Sequence, residues 1–505
     1  MNTQMMKITI MILVFCTTST ALFAQQVLPK DVVITGYLKQ HTASDTVMVQ
    51  IHKEFGSGNG ILPIDSILTQ ISKDGNFSFR IKNLKRPLYL TFRSKVPDSV
   101  AFEHFSNHEL YQYPFEPGDS VHVEFDDEKK EVLFSGPSAD KFRWLCESAK
   151  LTYLAGSFTK IDFCSDPENW YIQLESIQNL LVSNLDHIKS KLNTASYLLL
   201  RADLIANLRS YEYNMFNSNK MGYCYGDSII GKRGLILYKQ KMLQKRIDSG
   251  TEELLSCSSQ YANYLLQKAR ADFSYNQYMK ISPASDILNF ILKSYPKGVL
   301  RDKIVTALLY SPGTNKELYF KTAINSVSSL RYRQMLLDIQ STTAKGQSII
   351  ESYVFKDKQG KVVKLSDFKG KVVFIDQWFT GCGGCVYVAK ALPDVEAAFK
   401  GRNDIVFLSL SVDNDRGMWL KSISPNPAGK KLGYTHYTTE STVYVYTDGR
   451  GSDHPFIRKY NLTNTFPSLM IIDKKGRIFS SSAPRPDAIG GKEKLIEALN
   501  QALLN

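Results

Sequence analysis

The sequence predicts a multidomain chain: an N-terminal antiparallel β-sandwich, a central α-helical region and a C-terminal α/β domain. Two observations carry this. Apolar spacing changes twice along the chain, from strict alternation, to steps of three and four, to alternating strand-like and helix-like blocks. The length of 505 residues also exceeds what one hydrophobic core organises. With 43% hydrophobic and 11% aromatic residues, each part has the means to fold.

The N-terminus reads as a signal peptide over residues 1–24. Lys7 precedes the apolar run Ile8 to Phe15, too short to span a bilayer, and "TALFA" ends in a small residue at Ala24. A rival reading, a lipid anchor on Cys16, places Phe15 where a small residue is wanted. No later segment is apolar enough to cross a membrane. An exported chain in the periplasm or cell envelope is expected, where disulfides are chemically permitted.

Residues 30–136 alternate. Val47, Val49 and Ile51 share one face, as do Phe77, Phe79 and Ile81, then Leu88, Leu90 and Phe92, then Val121, Val123 and Phe125. "KDGNF" and "EPGDS" supply turns between strands, the pattern of a β-sandwich. Residues 137–340 change period. Leu174, Ile177, Leu181, Leu185, Ile188 and Leu192 form one helical stripe, "SYLLLRADLIANL" and "DILNFILKSY" continue it, and "CYGDSIIGKRG" reads as a loop. Cys146, Cys164, Cys224 and Cys257 fall here, either as structural disulfides of unspecified pairing or as small buried hydrophobes.

Residues 341–350, within the small polar stretch "STTAKGQSIIES", read as a linker to an α/β domain over 351–505. "KVVFIDQWF" is a continuous apolar run, the mark of a buried central strand. "CVYVAKALPDVEAAFK" is helical, "DIVFLSLSVD" is a second buried strand, and "DRGMWLKSI" is a short helix. "FPSLMIIDKKGRIF" is two strands around a Lys-Lys-Gly turn, and "GGKEKLIEALNQALL" is a closing helix.

At the first strand-to-helix junction stands the pair Cys382 and Cys385, with only glycines between. A structural zinc site wants four ligands, but there is no second C-x-x-C, and His436 and His454 follow at long, irregular distances. A purely structural disulfide closing so small a loop restrains the unfolded chain little. Redox chemistry fits the position: the first thiolate sits at a helix N-terminus, stabilised by free N–H groups and the helix dipole. The second cysteine lies about one turn on, placed to resolve a mixed disulfide.

Over roughly residues 347–505 the sequence resembles the thioredoxin superfamily, specifically the exported TlpA/ResA-like thiol-disulfide oxidoreductases of Bacteroidetes type. "FKDKQGKVVKLSDFKGKVVFIDQWF" is similar to that family's first strands, and "TFPSLMIID" to its loop with a cis-proline. The zones before it resemble, more weakly, the β-domain and helical spacer that precede such domains. The resemblance implies a thioredoxin-like fold and catalytic roles for Cys382, Cys385, Asp376 and Pro467. Cys382 is the exposed nucleophile and Cys385 the resolving thiol. Asp376, six residues before Cys382, handles the proton of Cys385, and Pro467 leaves backbone free for a substrate strand. Trp378 matches the tryptophan of the family's Asp-Phe-Trp stretch.

The chain departs from that pattern. Gly381 replaces a frequent tryptophan, Gly383-Gly384 replaces Gly-Pro, and the stretch before Pro393 is longer. Gly-Gly matches neither strongly reducing nor strongly oxidising versions, so it does not separate reductase from oxidase or isomerase.

The expected function is reduction of disulfides in exported proteins, with electrons from a membrane thiol carrier. No flavin or nicotinamide fingerprint is present, and neither cofactor nor metal is expected. The +13 formal charge is scattered, without a dense basic run, which argues against nucleic acid. Two other classes remain open: a non-catalytic binding or chaperone module on the same scaffold, and a copper metallochaperone using both thiolates with His436 or His454.

Overall fold

A computed structural model describes residues 30–41, 46–52, 54–55, 65–95, 102–104, 112–126, 128–129, 131–158, 166–217, 229–243, 250–276, 284–310, 319–343, 345–349, 353–424, 442–461 and 465–505. The signal-peptide reading, Cys16, Cys164, Cys224 and His436 lie outside them.

The N-terminal part holds two sheets. Strands β1 (Lys30–Leu38), β4 (Asn76–Leu84), β8 (Ser120–Asp126) and β9 (Glu131–Ser135) form one, in the order β4-β1-β8-β9. Strands β2 (Thr46–His52), β3 (Asp65–Gln70), β5 (Leu88–Lys95) and β6 (Phe102–His104) form the other, with β7 (Tyr113–Phe115) also on β5. Alternation places Val47, Val49, Phe77, Phe79, Leu90, Phe92, Val121 and Val123 in one hydrophobic cluster drawn from both sheets. Gly75 and Gly118, in the two turns expected from sequence, have positive φ, a region glycine enters without steric cost.

The antiparallel expectation needs one correction. Described pairings in these sheets are antiparallel except β1–β8, which runs parallel from Val33↔Ser120 to Leu38↔Phe125. Alternation reports which face a side chain takes and carries no information on strand direction.

The central region is helical: α1 (Ala139–Phe158), α2 (Pro167–His187), α3 (Thr194–Asn217), α4 (Ile229–Leu237), α5 (Glu252–Cys257), α6 (Ser259–Asn276), α7 (Ala284–Ser294), α8 (Val299–Tyr310), α9 (Phe320–Ser326) and α10 (Leu330–Thr343). Helix α2 begins where the Asp166 side chain accepts the Asn169 N–H, with Pro167 at its first position. Leu174, Leu181 and Leu185 are buried on the predicted stripe, but Ile188 and Leu192 lie beyond the helix, around a 3₁₀ turn at Lys189–Lys191. Both still pack on the same cluster, so the period persisted past the helix end. The loop expected at "CYGDSIIGKRG" gives way to helix α4 at Ile229. Cys146 is buried with the β-core, and Cys257 is a free thiol whose Sγ takes a hydrogen bond from Arg86 at 3.3 Å.

The C-terminal part is one seven-stranded sheet. Its strands are β10 (Val354–Asp357), β11 (Val362–Lys364), β12 (Val372–Trp378), β13 (Ile405–Ser411), β14 (Val443–Tyr446), β15 (Ser468–Ile472) and β16 (Ile478–Ser480). They are ordered β11-β10-β14-β13-β12-β15-β16. All residues of β12 are buried, the polar Asp376 and Gln377 among them. On one face Val373 and Ile375 pack with Phe456, Ile457 and Tyr460, on or beside helix α13 (Pro455–Tyr460), whose range follows α11 (Gly383–Ala397) and α12 (Arg416–Ile423). On the other face Val372 and Phe374 pack with Val388 and Leu392 of α11 and with Leu495 and Leu499 of α14 (Gly491–Leu504).

The chain reaches this sheet already paired. Gly346 N–H donates to Ile478 O at 2.7 Å, Ile478 N–H to Gln347 O at 2.8 Å, and Ile349 N–H to Gly476 O at 3.0 Å. Ile349 is buried in the domain core.

Candidate active site

Strand β12, held between parallel β13 and antiparallel β15, ends at Trp378. The chain then turns through Phe379, Thr380 and Gly381 to Cys382. Gly381 has φ +93°, a conformation that strains any residue with a Cβ and that glycine adopts without cost. The turn is anchored from just past the end of β13. Asp413, buried, accepts the Thr380 N–H and hydroxyl at 2.8 Å each and the Ser411 hydroxyl at 2.8 Å. The Thr380 and Ser422 hydroxyls are 2.7 Å apart, tying in α12.

Cys382 caps helix α11: its Sγ accepts the Cys385 N–H at 3.2 Å, and its carbonyl accepts the N–H groups of Cys385 and Val386. Cys382 and Cys385 form a disulfide, with Cα atoms 5.3 Å apart. Cys382 is 6% exposed and Cys385 is fully buried. The expectation of an exposed Cys382 is therefore corrected: Trp378, Trp419 and Tyr446 cluster with both cysteines. The Trp378 indole donates to Ser409 Oγ at 2.6 Å, and Trp419 stacks on Tyr446 at 4.5 Å. Phe379, 39% exposed, meets Phe466 edge to face at 5.6 Å and forms an apolar lip.

The Phe466–Pro467 bond is cis. A Cβ built on Gly384 would lie 3.2 Å from Pro467 Cδ, so the glycine lets the helix start pack against the proline ring. Asp376 is buried, its Oδ1 has no hydrogen-bond partner, and its carboxyl is pushed up to about 7. Burial is the main cause; the positive charge of Arg485 opposes it and the negative charge of Asp487 adds to it.

Of the four site residues read from sequence, Cys382 and Cys385 form the disulfide, Pro467 lies against Gly384 between them, and Asp376 is buried on the strand that leads to the junction. Sequence reading missed Asp413, Thr380 and Arg485. Asp413 ends the "SLSVD" strand run and Thr380 lies two residues before Cys382, which are weak signals. Arg485 had none, because it arrives from a loop remote in sequence. His454, weighed as a copper ligand, is engaged at both ring nitrogens: Nε2 lies 3.0 Å from Val354 O, and Nδ1 accepts the Phe456 N–H at 3.2 Å. Among the described residues no helix is long and apolar enough to cross a membrane.

Comparison with known proteins bears on this part of the chain. The Redoxin family matches residues 343–491. A provisionally named thiol-disulfide oxidoreductase from Bacteroides vulgatus, solved in solution, is 29% identical over 31% of this chain and 93% of its own, with a TM-score of 0.24. A crystal structure of a protein given the same provisional name, also from Bacteroides vulgatus, is 26% identical over 32% of this chain and 99% of its own, with a TM-score of 0.25. A thiol:disulfide interchange protein from a Bacteroides species is 23% identical over 32% of this chain and 93% of its own, with a TM-score of 0.24. No curated protein matches the chain.

Proposed function

We propose, from the premise that residues 343–491 are a thioredoxin-like Redoxin domain carrying a C-x-x-C pair, that the protein reduces disulfides of exported proteins. The observation that carries the reading is the Cys382–Cys385 disulfide at the start of α11, with Cys382 Sγ receiving a backbone N–H. The same N–H groups stabilise a thiolate at Cys382 once the pair is reduced.

The reaction proceeds by exchange. The Cys382 thiolate attacks one sulfur of a substrate disulfide; a mixed disulfide forms and the other substrate sulfur leaves as a thiolate. Cys385 gives its proton to Asp376 and attacks Cys382 Sγ. The Cys382–Cys385 bond forms, the mixed disulfide breaks, and the second substrate sulfur departs. Two electrons have passed to the substrate, and a thiol donor at the membrane restores the dithiol. Asp376 suits the proton role because its carboxyl, pushed up to about 7, changes state near neutrality. Pro467, which donates no N–H, lies against Gly384 where a substrate strand would run.

In this reading residues 1–24 direct export to the periplasm or cell envelope, the two N-terminal sheets over 30–136 close as a sandwich, and 137–340 form a separate helical domain. Residues 341–350 join it to the catalytic domain at 351–505. The cluster shared by both sheets supports the sandwich.

The test is turnover of a protein disulfide such as insulin with a dithiol donor. Turnover that Cys382→Ala abolishes supports the reading. A reduced protein that folds, binds unfolded chains and shows no turnover belongs to the chaperone class instead. A stoichiometric Cu(I) complex with no turnover belongs to the metallochaperone class.

A further inference from the structure

We propose that the Arg485–Asp487 ion pair is a positioning device for the dithiol turn: it holds a guanidinium on the carbonyl between the two cysteines and sets the charge that Asp376 experiences. This rests on the oxidoreductase reading above.

The geometry is specific. Arg485 Nε donates to Asp487 Oδ1 at 3.0 Å and its Nη2 to Asp487 Oδ2 at 2.7 Å, a bidentate pair. The same Nη2 reaches the Gly384 carbonyl at 3.5 Å. A Cβ on Gly384 would lie 3.2 Å from the proline ring, so the bare glycine admits Pro467, and the guanidinium packs beside it in ordinary contact. The arginine backbone is fixed as well. A Cβ on Gly491 would meet the Arg485 carbonyl oxygen at 1.9 Å, so the loop lies directly on the start of α14.

Asp376 is in the field of this pair. Its neighbours across the sheet, Ser409 on β13 and Leu469 on β15, carry no charge. The titratable groups at the start of α11 are Cys382 and Cys385. Arg485 and Asp487 are the charges that act on the carboxyl, with opposite signs. A residue that merely propped the loop would give both substitutions the same effect. A charge device gives them opposite effects.

The experiment uses the 505-residue chain in reduced form, mixed with a disulfide peptide in single turnover across pH. The midpoint of the resolving step is read for the parent, Arg485→Gln, Arg485→Lys and Asp487→Asn. The ionisation of Asp376 is followed in parallel by the infrared carboxyl band that Asp376→Asn removes. Arg485→Gln is expected to move both midpoints up, Asp487→Asn to move them down, and Arg485→Lys to hold them near the parent value. If Arg485→Gln does not fold, the contrast between Asp487→Asn and Arg485→Lys decides alone. Midpoints that shift in one direction for all variants, or in none, overturn the proposal while leaving the exchange activity established. A parent that forms no mixed disulfide at any pH fails the oxidoreductase reading first and this inference with it.

Discussion

The carboxylate of Asp413 receives both polar hydrogens of Thr380, N–H and hydroxyl, at 2.8 Å each. One buried side chain two residues past the end of β13 thereby fixes the turn that delivers Cys382. Asp413→Ala leaves the Thr380 N–H without its acceptor and is expected to cost roughly 1–3 kcal/mol, the range for a buried donor left unsatisfied. Chemical denaturation measures it. Exchange should slow with it, because the N-cap position of Cys382 depends on that turn. A variant with parental stability and rate would show that the Phe379–Cys382 turn holds itself.

After reduction, Cys382 should alkylate faster than Cys385. Cys382 is the less buried of the two and is the one that receives the helix-start N–H. Iodoacetamide labelling with peptide mapping reads the two rates. Equal rates, or a faster Cys385, would assign the nucleophile to the wrong residue.

Asp376→Ala should let the first attack proceed and then accumulate the mixed disulfide, seen by rapid acid quench and mass analysis. The helix start favours the Cys382 thiolate without help, whereas Cys385 is fully buried and needs a proton acceptor. Slowing of the first attack instead would move the role of Asp376 to Cys382.

The same carboxyl gives a stability signature. Its folded value, about 7, lies above the ordinary carboxylate value of 3.8. The folded state therefore binds the extra proton. Its contribution is fully present below about pH 4 and is lost as pH rises towards 7, a change of up to about 4 kcal/mol. Parent stability should fall more across that window than that of Asp376→Asn, whose remaining fall comes from other buried carboxyls such as Asp203, pushed up to about 6 by burial. Urea titrations from pH 4 to 8 test this; identical slopes for both proteins would contradict a buried, charge-averse carboxyl.

A fragment of residues 341–505 should fold and exchange disulfides, whereas one beginning at residue 353 should be less stable. The shorter fragment loses three backbone hydrogen bonds to β16 and its surroundings, and the buried Ile349. Their sum is roughly 3–6 kcal/mol. Equal melting temperatures would make that pairing energetically idle.

Much of this was legible in sequence, for identifiable reasons. A strand buried on both faces is mostly apolar, so "VVFI" announced β12 and, with it, the position of the cysteines, while the burial of Asp376 and Gln377 beside it was not marked by hydropathy. Alternation placed Val47, Phe79 and Val121 in one core. What stayed hidden depends on pairing across long separations. The parallel partnership of β1 with β8 leaves no mark on periodicity. Arg485 meets Gly384 from 101 residues away, and neither residue's neighbours signal the contact. The stripe through Ile188 and Leu192 misled in a different way, because a 3₁₀ turn can keep side chains on one surface after the α-helix stops.

The segment that pairs with β16 as the chain enters the domain has a consequence for solubility. An open sheet ends in unsatisfied N–H and C=O groups that invite foreign strands. Here the β16 side is partly occupied by the protein's own Gly346 and Gln347. The opposite side ends in β11, three residues long, with Lys361 before it and Lys364 at its end. Short length and positive charge discourage a further strand from adding there. In the proposed role, borders closed in this way would confine a substrate strand to the dithiol and deny it the rim of the sheet, where it would begin an aggregate.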